Sequence, residues 1–262
     1  MTKKFSTNKR LTLPQCNYAL NRWRQHQLTC RENKLMFGFT AKAGCSSVTK
    51  LFLSLIDHPN SIEFRKWPHP IRQAYQKQRP TRLKDWFDKR ILKLKFVRNP
   101  FDRAVSSYLH VAKHVKLGSH LAATSGQKGI ENWTFEDFID RLSDINLYAA
   151  NPHYGPQTWS MENRIFKFDK IIKIETLRDD LLQVENEFGR SFSIDDSLFT
   201  SRHHTARRQN LTSFCGDVPH AELLSNGIPA SEHFYNHDLT RKVYKLYKRD
   251  VDRFGYPLPH LL

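Results

Sequence analysis

Long apolar runs are missing from this chain of 262 residues: no stretch approaches the roughly 20 apolar residues that a membrane-spanning helix needs. The basic start MTKKFSTNKR is not followed by an apolar core, so a secretory signal peptide is not expected either. Cysteine is sparse. Cys16, Cys30, Cys45 and Cys215 form no C-x-x-C pair and no Cys/His set at zinc-finger spacing, which argues against structural zinc and against a disulfide framework. Reduced thiols in a soluble, cytoplasmic protein are the expectation. There is no internal repeat and no Walker sequence G-x-x-x-x-G-K-[ST]. Negative charge is in deficit, with 26 Asp plus Glu against 42 Lys plus Arg, a net charge of +16. Such an excess draws polyanions to the surface: nucleic acid, anionic membrane, acidic glycan or a multiply charged nucleotide. On charge alone nucleic acid comes first, but no recognised nucleic-acid-binding motif is present.

What is present suits an α/β domain. The length fits one such domain with a sizeable core, and 18 Phe, 9 Tyr and 5 Trp offset a modest apolar fraction. Residues 1–33 read as a basic leader and 34–262 as a single domain. Leu35–Phe39 (LMFGF) and Ile91–Val97 (ILKLKFV) read as buried strands. Val48, Leu51, Phe52, Leu55 and Ile56 recur at helical spacing. A second helix is expected from Pro100 to about Lys116, with Asn99 as N-cap, Pro100 in the first position and Asp102 closing a capping box. Four prolines between His58 and Pro80 predict irregular chain there. Short helices are expected at Thr134–Leu142 and after Thr176, ending before Gly189. Ile165–Ile174 predicts one or two strands around a turn at Asp169, residues 201–230 read as loop-rich, and a last helix runs from about Asp238 to Phe254, closed by Gly255. Strand–turn–helix units of this kind predict a mainly parallel sheet.

Two segments carry chemistry. Thr40–Ser47 (TAKAGCSS) joins a strand to a helix. Helix N-terminal amides favour an anion, Gly44 allows close approach, Ser46 and Ser47 supply hydroxyls, and Lys42 supplies a mobile cation. An ordinary strand-to-helix turn with a solvated lysine has the same composition, and both readings stand on this segment alone. In Phe96–Tyr108 (FVRNPFDRAVSSY), Arg98 could hold a phosphate bidentately and Ser106 could add a donor. A capped helix with a surface arginine is the simpler reading of that segment by itself. Both segments follow buried strands, where open α/β sheets bind ligands.

Together the two segments resemble the nucleotide site of sulfotransferases. Lys42–Ser47 looks like their 5′-phosphosulfate loop, with Cys45 and Ser47 where many members have Thr and Trp. Phe96–Tyr108 is similar to their 3′-phosphate motif, with Arg98 and Ser106 eight residues apart as in that family. His153–Gln157 (HYGPQ), Ile172–Leu177 and Tyr247–Tyr256 resemble landmarks of the Golgi carbohydrate sulfotransferases, although those enzymes carry a membrane anchor and none is expected here. The resemblance implies a P-loop-like three-layer sandwich and 3′-phosphoadenosine 5′-phosphosulfate as co-substrate, with no metal cofactor. It further implies a hydroxyl acceptor, a glycan that could itself be anionic. Lys42, Ala43, Gly44, Cys45, Ser46 and Ser47 would hold the 5′-phosphosulfate, and Arg98 and Ser106 the 3′-phosphate. Lys42 would meet the leaving group, and His153 would act as general base, with Glu63 and Glu175 as fallbacks. Arg103 and the basic stretch Arg202–Arg208 could touch phosphates or simply face solvent. A P-loop-type kinase and a basic nucleic-acid-binding protein are the alternatives.

Overall fold

Leu35–Gly38 is buried at all four positions and Leu92–Val97 at all six. Strands covered on both faces read as near-continuous rather than alternating apolar runs. The computed structural model describes residues 26–56, 68–114, 118, 121, 132–159, 161–192 and 213–259, and pairs these two segments in parallel as β2 and β3. Lys170–Lys173 joins β3 in parallel as β4, and Gln27–Cys30 lies antiparallel on β2 as β1, so the sheet order is β1-β2-β3-β4. Eight helices accompany the sheet among the described residues: α1 Cys45–Leu55, α2 Pro68–Gln78, α3 Leu83–Phe87, α4 Pro100–Lys113, α5 Phe135–Ser143, α6 Leu177–Phe188, α7 His220–Asn226 and α8 His237–Phe254. None of them is long and apolar enough to cross a membrane.

One sheet face, with Phe37, Leu94, Phe96 and Ile172, packs on Leu51 and Phe52 of α1 and Leu181 and Val184 of α6. The other face meets a cluster of Trp86, Trp159, Phe166 and Phe168, and the end of α8 through Phe254. Gly38 closes β2 where a side chain would collide with the Phe168 ring. A second apolar core lies among α4, α5 and α8, built on Tyr108, Phe135, Phe138, Leu239 and Val243.

β1 falls within the stretch that reads as leader. Its Gln27 and Thr29 are polar yet buried, because neighbours satisfy them. Trp86 Nε1 donates to Gln27 Oε1 at 3.3 Å, and the Tyr75 hydroxyl donates to Thr29 O at 3.0 Å. α2 replaces the irregular chain expected from the prolines. Pro68 and Pro70 occupy the first and third helical positions, where a backbone N–H has no intrahelical partner to lose. α4 begins as expected, with the Asn99 side chain accepting from Phe101 N at 2.9 Å, but the expected capping box does not close. Asp102 instead accepts from the Ser231 hydroxyl, and Asn99 N donates to Glu175 Oε1 at 2.7 Å. Thr134 and Asp137 do form a capping box on α5.

Candidate functional site

The chain leaves β2 at Gly38 and turns sharply before α1. Ala43 N donates to Thr40 O at 3.2 Å, and both Lys42 (φ 67°) and Gly44 (φ 68°) take the left-handed conformation. For a lysine that conformation costs roughly 1–2 kcal/mol, so the turn is held by its surroundings. At Gly44 an added Cβ would also come within 2.9 Å of Ile174 Cδ1, on the chain just past β4. No side chain caps α1, so the amides of Cys45, Ser46 and Ser47 open toward the turn and favour negative charge. Ala43 is buried, while Gly44, Cys45, Ser46 and Ser47 are half-buried around it.

Lys42 is half-buried in the same turn. Burial pushes its ammonium below the ordinary lysine range; Cys45 acts in the opposite direction, and the positive charges of Arg98, Arg103 and Lys113 depress it further. These positive charges act on Lys42 together, and an anion bound in the turn would offset them.

Arg98 stands at the end of β3, and its Nη1 donates to Lys42 O at 3.3 Å across 56 residues of sequence. The two phosphate-type segments therefore adjoin at the C-terminal edge of the parallel strands. Ser106 is half-buried farther along α4, and no hydrogen bond among the described residues ties it to Arg98. Arg103 neither faces solvent nor offers an open guanidinium. It is 1% exposed, donating from Nε to Ala41 O at 3.0 Å and from Nη2 to Pro152 O at 3.0 Å. It is a strut joining the Lys42 turn to the His153 segment. One helical turn on, Ser107 Oγ donates to His153 O at 2.6 Å, so α4 is tied to both segments.

Asn151 Oδ1 accepts from His153 N at 3.0 Å and lies 2.8 Å from His153 Nδ1. An amide oxygen can only accept, so Nδ1 carries the proton and Nε2 is the basic nitrogen of the neutral ring. The ring stacks on His110, centroids 4.3 Å apart and planes at 20°, and His110 in turn meets His114 at 4.3 Å. Glu175 has both oxygens engaged, one by Asn99 N and the other by the Tyr256 hydroxyl at 2.9 Å, the arrangement of an anchor at a strand end. Glu63 and Arg202–Arg208 lie outside the described residues.

Two further side chains enter the site without any warning from the sequence pattern. His69, in the first turn of α2, has its Nε2 2.9 Å from Ser46 Oγ. Arg72, one turn later, lies over the Phe39 ring at 5.4 Å, and its buried Nε and Nη1 have no hydrogen-bond partner among the described residues; the Thr40 hydroxyl, also buried, has none among them either. Proline-broken sequence concealed the helix that carries His69 and Arg72.

No curated protein and no solved structure matches the chain. The family model of the sulfotransferases matches residues 25–257, which takes in every element of the sheet, both phosphate-type segments and the His153 loop. The chain belongs to the sulfotransferase family.

Proposed function

We propose that the protein moves the sulfuryl group of 3′-phosphoadenosine 5′-phosphosulfate to a hydroxyl of a carbohydrate acceptor. The observation that carries this is the hydrogen bond from Arg98 to the main chain of Lys42, because it sets a guanidinium beside an amide-lined turn. One nucleotide with phosphates at both ends of its ribose could span the two. In the proposed site the amides of α1, with Ser46 and Ser47, take the 5′-phosphosulfate, and Arg98 with Ser106 takes the 3′-phosphate. A P-loop-like layered arrangement is consistent with a sheet covered on both faces. The carbohydrate acceptor rests on the resemblance of His153–Gln157 to the Golgi-type enzymes.

The acceptor oxygen attacks sulfur in line. The bond from sulfur to the 5′-phosphate oxygen breaks, and 3′-phosphoadenosine 5′-phosphate leaves with that oxygen. As in phosphoryl transfer, positioning and electrostatics do most of the catalysis. Lys42 meets the charge that develops on the leaving oxygen, and Nε2 of His153 takes the acceptor proton. His153→Ala is expected to slow turnover by about 10²-fold, the usual size of a general-base contribution, with donor affinity preserved. Steady-state rates together with nucleotide titration check this, and near-normal turnover would transfer the role to another residue, His69 first.

Lys42 must be protonated to do this work, and its depressed value places its deprotonation at lower pH than an ordinary lysine. In the free enzyme, therefore, kcat/KM for the donor is expected to fall on the alkaline side earlier than a solvated lysine would allow. Lys113→Ala removes one of the charges that depress Lys42 and should move that fall to higher pH. An unmoved alkaline limb would detach it from Lys42. The function itself is tested by incubating the protein with sulfur-labelled donor and a panel of oligosaccharides, without metal. Label should move to a sugar with one equivalent of 3′-phosphoadenosine 5′-phosphate formed; a need for magnesium would favour the kinase reading.

A further inference from the structure

Arg98 lies just past the point where the sheet can hold it. The last pair of β2 with β3 is Gly38 with Lys95, after which β2 turns away into the Lys42 loop. On the other side Val97 O still accepts from Ile174 N at 2.9 Å. Along a strand, successive residues direct their backbone groups to opposite neighbours, so those of Arg98 point to the side that β2 has left. The side chain of Gln157 fills that place. Its Oε1 accepts from Arg98 N at 2.9 Å, and its Nε2 donates to Arg98 O at 2.7 Å.

Gln157 is itself held from two elements. Its N donates to Asp250 Oδ2 of α8 at 2.7 Å, and its O accepts from Lys95 Nζ of β3 at 2.7 Å. Asp250 Oδ1 also takes Thr158 N at 2.7 Å, and Lys95 pairs with the buried Glu162. Gln157, Asp250, Lys95 and Glu162 are all fully buried. Every backbone and side-chain polar group of Gln157 therefore has a designated partner. A buried amide bonded through both its oxygen and its nitrogen fixes one geometry, since any rotation would leave several groups unpaired.

We infer that Gln157 is a positioning residue that makes the nucleotide site selective for a 3′-phosphate by replacing β2 as the partner of the Arg98 backbone. With the backbone fixed, the guanidinium is directed to the Lys42 turn and presented to a ligand in one orientation. This rests on the reading of Arg98 as the 3′-phosphate ligand. The amide-lined turn, which would take the 5′ end, does not touch Gln157 through any hydrogen bond among the described residues.

The test is calorimetric titration of the wild type, Arg98→Ala and Gln157→Met with 3′-phosphoadenosine 5′-phosphate and with adenosine 5′-phosphate. Methionine fills the volume of glutamine and removes both bonds to Arg98. Gln157→Met is expected to weaken binding of the 3′-phosphorylated nucleotide by about tenfold, the scale of two neutral hydrogen bonds, and to leave adenosine 5′-phosphate unchanged. Gln157→Glu keeps the acceptor for Arg98 N and not the donor to Arg98 O, so it should show an intermediate loss. It reads the same preference if the methionine variant does not fold. Equal weakening toward both nucleotides would be the mark of a merely structural role and would overturn the inference. A full 3′-phosphate preference in the Gln157 variants, alongside its loss in Arg98→Ala, would overturn it as well. Should Arg98→Ala itself keep the preference, the assignment of Arg98 falls and the inference falls with it.

Discussion

Arg98→Ala is expected to reduce affinity for 3′-phosphoadenosine 5′-phosphate by about a hundredfold while leaving adenosine 5′-phosphate almost untouched. A bidentate arginine–phosphate contact consists of two charge-assisted hydrogen bonds, together worth roughly 3 kcal/mol after solvent exchange. The loss is selective because Arg98 has little structural duty of its own. Among the described residues its guanidinium makes one long bond, 3.3 Å, to Lys42 O, while its backbone is held by Gln157 whatever side chain it carries. Alanine should therefore fold, and parallel titrations with the two nucleotides measure the difference. Equal affinities before and after substitution would show that the guanidinium does not meet the ligand. Arg98→Lys should recover only part of the loss, since an ammonium keeps the charge but not the fork.

Lys42→Ala is expected to act on the other side of the kinetic scheme. In the proposed reaction its ammonium would face charge that grows as the sulfur–oxygen bond breaks, so its stabilisation would be largest in the transition state. A fall of about 10²–10³-fold in kcat is expected, the range seen when one preorganised electrostatic partner is removed. Binding of the nucleotide product should weaken by less than about tenfold, since the α1 amides remain. Single-turnover rates with saturating donor separate the two effects. A variant that lost affinity and kept kcat would assign Lys42 to binding alone. Folding should survive, because alanine removes a desolvated charge from a half-buried position that other positive charges already disfavour.

The parts of the fold that were legible in the sequence are those with strong periodicity and few polar interruptions. β2 and β3 were visible as apolar runs, and α1, α4 and α8 as amphipathic stretches with recognisable ends, Gly255 adopting the left-handed C-terminal conformation at φ 61°. β1 was not legible, because Gln27 and Thr29 are buried through partners more than forty residues away. α2 was hidden by prolines whose cost depends on their position in the helix, which composition does not reveal.

The site divides in the same way. Its two phosphate-type segments could be found by spacing, but their adjacency shows only in the fold, where Arg98 meets Lys42 across 56 residues of sequence. The buried place of Arg103 is not legible in the sequence, because an arginine is rarely buried and its two carbonyl partners come from distant turns. His69 acts through a tertiary contact with Ser46 that nothing in its local sequence marks, and Gln157, although it closes the HYGPQ segment, meets Arg98 only through the fold.

The most direct test of a two-phosphate nucleotide site is a calorimetric titration of the wild-type protein, without metal and at moderate salt, with 3′-phosphoadenosine 5′-phosphate, adenosine 5′-phosphate and ATP. Tight binding of the first alone is the predicted result, because only that nucleotide reaches both the Lys42 turn and Arg98. Equal affinity for all three, or no binding of any, would contradict it.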